Sequence, residues 1–201
     1  MSVIINFFLK ALALVGFILI SPLLVVCSIL VLCEDGFPII FHQKRFGKNM
    51  KIFKIKKLRT MKKETPNLGT HENDETNILK IGKLIRKFKL DEFPQLLNYL
   101  EGSINLVGPR PGLINQAELA KNRDSRGVFS VKPGITGLSQ VLGFNMSDPE
   151  LLSIVDSIYI KNTSMKLDII IFFATFFKPL RKKLDKMVIQ EIQIQQELHD
   201  V

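Results

Sequence analysis

Residues 89–98, Lys-Leu-Asp-Glu-Phe-Pro-Gln-Leu-Leu-Asn, decide how this chain is read. A proline is tolerated in a helix only within the first turn, where its missing N–H has no partner to lose. Pro94 therefore marks a helix start, with Asp91 near the N-cap and Glu92 just inside. The helix is expected to run to about Leu100 and to end at Gly102. Upstream, residues 78–90 carry Lys80, Lys83, Arg86, Lys87 and Lys89 and no acid. A carboxylate among cations at a helix N-terminus is expected to stay ionised, and can share its site with a phosphate or a divalent metal. The plainer reading of such a pair is an N-cap followed by a dipole-friendly acid. The surroundings decide between the two.

With 201 residues the chain makes one domain and at most an appendage. Hydrophobic residues make up 46% and charged residues 23% of the chain. With a mean hydropathy of +0.18, apolar and basic residues must be segregated along the sequence. Lys and Arg total 28 against 19 acids, a net charge of +9. That balance favours an anionic partner: nucleic acid, anionic lipid or a phosphorylated substrate. Cys27 and Cys33 lie in an apolar run and have no metal-ligand spacing with His42, His71 or His199. Neither a disulfide framework nor a zinc site is supported.

Residues 11–33 contain no charge and are long enough to cross a bilayer as a helix. Ser21-Pro22 interrupts them midway. A kinked single span is one reading, since transmembrane helices tolerate proline. Charge favours the other. Lys10 precedes the run, and ten cations with no acid lie between residues 37 and 63. Positive flanks on both sides suit a re-entrant hairpin that enters and leaves on the cytoplasmic face. The run is too long for a cleaved signal peptide and lacks a clear small-residue cleavage site.

Beyond Glu34-Asp35-Gly36, the β-rich stretches Pro38–Gln43 and Lys51–Lys57 flank Gly47-Lys48-Asn49, which predicts a hairpin. Residues 62–77 read as a polar surface loop. Ile81, Leu84, Ile85 and Phe88 recur at helical spacing, for a core or for an anionic membrane surface. The segments Gly108-Pro109-Arg110-Pro111-Gly112 and Lys132-Pro133-Gly134-Ile135-Thr136-Gly137 are expected as loops on either side of a polar helix ending near Asp124. Each is either a rigid turn or a way to hold a phosphate with a fixed cation. Leu167–Phe177, 11 apolar residues between Lys166 and the cations Lys178, Arg181, Lys182 and Lys183, is too short to span. It reads as interfacial, with a core helix as the alternative. From Lys183 a tail helix without evident chemical role is expected.

In this order the pieces resemble the bacterial sugar transferase family, the small monotopic phosphoglycosyl transferases. The residues that carry the resemblance are the Ser21-Pro22 break, IFKIKKLRTM at 52–61, KLDEFPQLLNYLEG at 89–102, NLVGPRPG at 105–112, KPGITGLSQV at 132–141 and the late segment around Asp168. The resemblance implies transfer of a phosphosugar from a UDP-sugar to polyprenyl phosphate, releasing UMP. It implies a covalent phosphosugar enzyme with Asp91 as nucleophile, Glu92 as its acidic partner and Mg²⁺ at the pair. It also implies phosphate contacts from Lys57, Arg86 and Arg110, and a loop at Lys132-Pro133-Gly134 near the nucleotide. Three positions depart from the family pattern: Lys132 for Arg, Leu138 for Trp, and Ser103 for the Asp of a Gly-Asp-Met triplet. Leu138 cannot stack on a ring as an indole would, and Lys132 loses bidentate phosphate geometry.

The expected fold class is thus α+β and mostly helical. A re-entrant helix-break-helix anchor at 1–36 precedes a membrane-associated cytoplasmic catalytic domain at 37–201, with a β-hairpin and interfacial amphipathic helices. Expected partners are a UDP-sugar, polyprenyl phosphate, anionic lipids of the bacterial inner membrane and downstream membrane glycosyltransferases, with no nucleic acid. A non-catalytic, membrane-tethered basic module would explain the charge and the apolar run equally well. It leaves Asp91-Glu92, set among cations ahead of the two Pro/Gly segments, unexplained, and no nucleic-acid-binding signature is visible.

Overall fold

The computed structural model describes residues 3–66 and 75–199. Part of the expected loop at 62–77 therefore lies outside the described residues. The chain forms two compact units, Met1–Arg45 with Phe53–Ser103, and Phe46–Ile52 with Ile104–Val201.

The first unit is built on helix α1 (Val3–Asp35), whose helical path continues through Ser21 and Pro22. The expected break is therefore not an interruption of the helix. Pro22 has no N–H to offer the Ile18 carbonyl, and the Ser21 hydroxyl donates to that oxygen at 2.7 Å instead. Among the described residues this is the one helix long and apolar enough to cross a membrane. Its exposed side chains include Phe7, Leu19, Val25 and Ile29. The inner side carries Cys27 and Val31, which pack with Leu58, Leu79 and Ile85 into a small core.

Strands β1 (Ile40–Phe46) and β2 (Ile52–Leu58) form a two-stranded sheet across a turn at Lys48–Met50, as the hairpin reading expects. Helix α2 (Lys80–Lys87) buries Ile85 and leaves Leu84 and the following Phe88 exposed, the latter 60%. Lys89 then takes a left-handed conformation (φ 55°) and stops α2. A 3₁₀ turn, Leu90–Glu92, leads into helix α3 (Gln95–Leu100), with Pro94 at its cap position. Asp91 and Glu92 therefore precede α3 in a turn of their own, which corrects the expected N-cap placement. The helix ends as expected, with Gly102 at φ 82°.

The second unit holds a second two-stranded sheet, β3 (Asn105–Val107) parallel to β4 (Gly134–Thr136), with Asn105 opposite Gly134 and Val107 opposite Thr136. This corrects the expectation that Lys132–Gly137 is purely loop. Pro133 sits just before the strand, and glycine permits the approach: a Cβ on Gly134 would stand 2.2 Å from the Gly108 nitrogen. Around this pair lie α4 (Ala117–Ser125), α5 (Leu138–Leu142), α6 (Pro149–Lys161), α7 (Met165–Ala174) and α8 (Lys178–His199). Leu138, Val155, Ile158, Ile171, Leu184 and Val188 make its core. The expected tail is thus part of α8, whose first half packs inside. Phe172, Phe173, Phe176 and Phe177 are exposed on and just after α7.

Candidate active site

In the first unit the structure brings together Lys57, Arg86, Asp91 and Glu92. Two anchors place them. Buried Asn98 of α3 accepts from the Lys56 N–H and donates to the Lys54 carbonyl, both at 2.9 Å. Its amide takes the place of a neighbouring strand along β2 and fixes the chain around Asp91 beside Lys57. On the other side, α2 approaches Thr60 so closely that a Cβ on Gly82 would stand 2.3 Å from the Thr60 carbonyl oxygen. Thr60 Oγ1 then accepts from Arg86 Nε at 2.8 Å, which orients the guanidinium.

Lys57 Nζ donates to Glu92 Oε1 at 2.9 Å. Burial pushes the half-buried Asp91 carboxyl above its ordinary range and Glu92 adds to the push, while Lys57 and Arg86 draw it down. Burial lowers the Arg86 guanidinium against the pull of Asp91. The cations expected to favour the ionised carboxylate are present, but burial opposes them. Burial outweighs the cations, because water lost around a carboxylate is not fully replaced by their fields.

Among the described residues no three His, Cys, Asp or Glu side chains converge as a metal cage. Mg²⁺ needs fewer. One or two carboxylates suffice where a diphosphate and water complete the octahedron. Asp91 and Glu92 fit that requirement, since a divalent ion would offset the burial that disfavours an ionised Asp91.

Arg110, Lys132, Pro133 and Gly134 belong to the second unit. Arg110 and Pro133 line one small hollow with Pro109, Phe46 and Phe129, the two rings meeting edge-on at 5.8 Å. Pro109 O accepts from the Gly134 N–H at 2.9 Å, which joins the two Pro/Gly segments. Lys132 lies just ahead of β4, and Leu138 is core.

Over residues 2–182 the sequence matches the family described as bacterial sugar transferase. The chain belongs to the bacterial sugar transferase family and is a transferase. It is 42% identical over 145 residues to an uncharacterised sugar transferase of Bacillus subtilis, EpsL, covering 72% of this chain and 71% of that one. It is 34% identical over 173 residues to the UDP-N-acetylgalactosamine-undecaprenyl-phosphate N-acetylgalactosaminephosphotransferase of Aeromonas hydrophila, 81% of this chain and 40% of the relative. A UDP-glucose:undecaprenyl-phosphate glucose-1-phosphate transferase of Klebsiella pneumoniae is 35% identical over 171 residues, 80% of this chain and 37% of the relative. This chain thus spans less than half the length of the latter two.

Sequence reading of this sugar transferase missed three residues beside its candidate groups. Thr60 carries no signal of its own. Arg123 and Asp156 do: each is a lone charge on an otherwise apolar helical face, Arg123 following Leu119 and Ala120, and Asp156 among Leu152, Val155 and Tyr159.

Proposed function

We propose that this chain transfers a phosphosugar from a UDP-sugar to polyprenyl phosphate, giving polyprenyl-diphosphate-sugar and UMP through a covalent intermediate on Asp91. The observation that carries the reading is a half-buried carboxylate drawn on by Lys57 and Arg86, beside a Glu92 already paired with Lys57. An Asp91 oxygen attacks the sugar-bearing phosphorus of the donor. The bond from that phosphorus to the bridging oxygen breaks, and UMP leaves with the oxygen and its electron pair. An oxygen of polyprenyl phosphate then attacks the same phosphorus, and the Asp91 carboxylate is regenerated.

Each half-reaction needs an oriented nucleophile and cations where charge builds on the leaving oxygen. Lys57 holds Glu92 in place, and Thr60 holds Arg86. Bound Mg²⁺, held by Asp91 and Glu92, would neutralise diphosphate charge. On the family motifs we assign Arg110 to the nucleotide-sugar phosphates and Lys132-Pro133-Gly134 to a loop near the nucleotide.

Residues 1–36 act in this reading as a re-entrant anchor whose helix stays continuous through Ser21-Pro22 and kinks there to return to the same face. Residues 37–201 form a catalytic domain on the cytoplasmic face of the inner membrane, where the cations and phenylalanines around α7 suit anionic lipid. The lipid-linked product would pass to membrane glycosyltransferases that extend it. The test is a mass spectrum of the chain mixed with UDP-N-acetylgalactosamine or UDP-glucose alone. A phosphosugar adduct on the Asp91 peptide, with UMP stoichiometric with enzyme, is expected. An adduct elsewhere, or UMP formed only once lipid phosphate is added, would overturn the covalent route.

A further inference from the structure

Helix α4 carries an arginine shut away from water. Arg123 is 2% exposed, and so is its carboxylate partner's side chain, that of Asp156 on α6. Arg123 Nε and Nη2 both donate to Asp156 Oδ2, at 3.0 and 2.6 Å. The other oxygen, Oδ1, accepts from Ser139 Oγ of α5 at 2.8 Å. The remaining arm of the fork, Nη1, donates to the backbone carbonyl of Arg110 at 2.7 Å.

An ion pair this deep is a poor source of stability, because lost hydration offsets the attraction and packed apolar side chains serve as well. What a buried guanidinium supplies is direction: a planar fork held on one side aims its other arm. Here it aims at the Gly108–Gly112 loop. Proline rings fix φ at Pro109 and Pro111, and a residue ahead of proline is confined to extended backbone. The carbonyls on either side are also held, Pro109 O by the Gly134 N–H and Gly112 O by the Phe46 N–H at 3.1 Å. Gly112 leaves room for the fork, since a Cβ there would stand 3.2 Å from Arg123 Nη1. The Arg110 carbonyl is the point where the helical layer grips the loop.

We propose that Arg123 and Asp156, seated by Ser139, are positioning residues for Arg110, fixing the backbone from which its side chain reaches a substrate phosphate. The inference rests on the reading of Arg110 as a phosphate contact. Arg123 touches no substrate and acts through the Arg110 carbonyl alone.

The experiment measures UMP release by the full chain, with undecaprenyl phosphate and whichever of UDP-glucose and UDP-N-acetylgalactosamine the wild-type chain turns over. Four variants are compared: R110A, R123M/D156L/S139A, the two combined, and R123K. Removing all three buried polar side chains together leaves the Arg110 carbonyl as the one group without its partner, so the triple variant should keep its thermal midpoint within a few degrees. Its turnover should nonetheless fall by about tenfold, the effect of a misaimed charge-assisted contact. R110A added to it should lower the rate by no more than about twofold further, because both changes remove one contact. R123K keeps the charge but not the fork, and should lose turnover at temperatures well below its midpoint, which the lost hydrogen bonds lower.

Wild-type turnover in the triple variant while R110A is impaired would make the ion pair merely structural and overturn the inference. So would rate losses that multiply in the combined variant. Should the triple variant fail to fold, R123K decides, and wild-type turnover there counts against it. Wild-type turnover in R110A itself is a different failure: Arg110 would leave the site, and the positioning role would fall with it.

Discussion

Lys57 Nζ stands 2.9 Å from Glu92 Oε1, and both side chains are at least three-quarters buried. A pair so placed is screened little by salt and fixes the Glu92 carboxylate beside Lys57. Lys57→Met should lower turnover by roughly ten- to hundredfold, the equivalent of about 1.5–3 kcal/mol for a charge-assisted bond. Membrane association should not change, because α1 is untouched. Turnover in detergent and the membrane-bound fraction check the two halves of this expectation. Near wild-type turnover would remove Lys57 from the site.

Asp91 predicts a pH signature in the metal-free chain. Burial raises its carboxyl above the ordinary value that the unfolded chain retains. Between those two values the folded chain holds a proton that the unfolded chain has released. Stability from this group is therefore intact below the ordinary value and is lost as pH rises through the raised one. Asp91→Asn is neutral throughout, so in chelator at pH 7 it should melt higher than wild type. That advantage should vanish below the ordinary carboxylate range, about pH 3–4. Thermal midpoints of both proteins across pH test it. A lower midpoint for the variant at pH 7 would mean that the cations, not burial, control Asp91.

Local chemistry made much of this legible. Gly47-Lys48-Asn49 marked the turn between β1 and β2, and the apolar spacing of Ile81 and Ile85 marked α2. What stayed hidden depends on partners distant in sequence. The left-handed Lys89 that separates α2 from the Asp91 turn has no glycine to announce it. β4 exists only because β3, some thirty residues earlier, pairs with it, and its Pro and Gly read locally as loop. The Asp91–Glu92 pair was readable as chemistry. Its burial was not, since that depends on what α2 and β2 pack against it.

The same close pairing makes Gly134 intolerant of any side chain. A Cβ there meets backbone in three places: 2.2 Å from Gly108 N, 2.4 Å from Thr136 O and 2.7 Å from the Val107 carbonyl carbon. Backbone atoms cannot swing aside, so β3 and β4 would have to separate. Gly134→Ala should destabilise the chain by about 3 kcal/mol or more, as overpacking joined to lost backbone bonds does. Gly16, with nothing within 4 Å of its would-be Cβ, is the control. Gly16→Ala should leave the midpoint unchanged or slightly higher. Comparable midpoints for the two variants would refute the close-approach argument.

The last prediction concerns how α1 meets the membrane. Near its start, Lys10 Nζ donates to the Leu100 carbonyl at the end of α3, at 3.0 Å. Near its end, the Glu34 carboxylate accepts from the Lys80 and Ile81 N–H groups, and Asp35 pairs with buried Arg59. Residues 10 to 35 cover about 38 Å as helix at 1.5 Å per residue, more than the ~30 Å of a hydrocarbon core. A span along the bilayer normal would put Lys10 and Asp35 on opposite faces. Yet both are held within one compact unit, by α3 at one end and by α2 and Arg59, just after β2, at the other. An anchor that stays on one side meets both contacts, and positive flanks on each side of the apolar run favour the same placement. With Cys27 and Cys33 replaced by serine, a cysteine at Asn6 should resist a membrane-impermeant maleimide in spheroplasts and react in inverted vesicles. A cysteine at exposed Lys51 should behave identically. Labelling at residue 6 in spheroplasts, with residue 51 protected, would establish a single span instead.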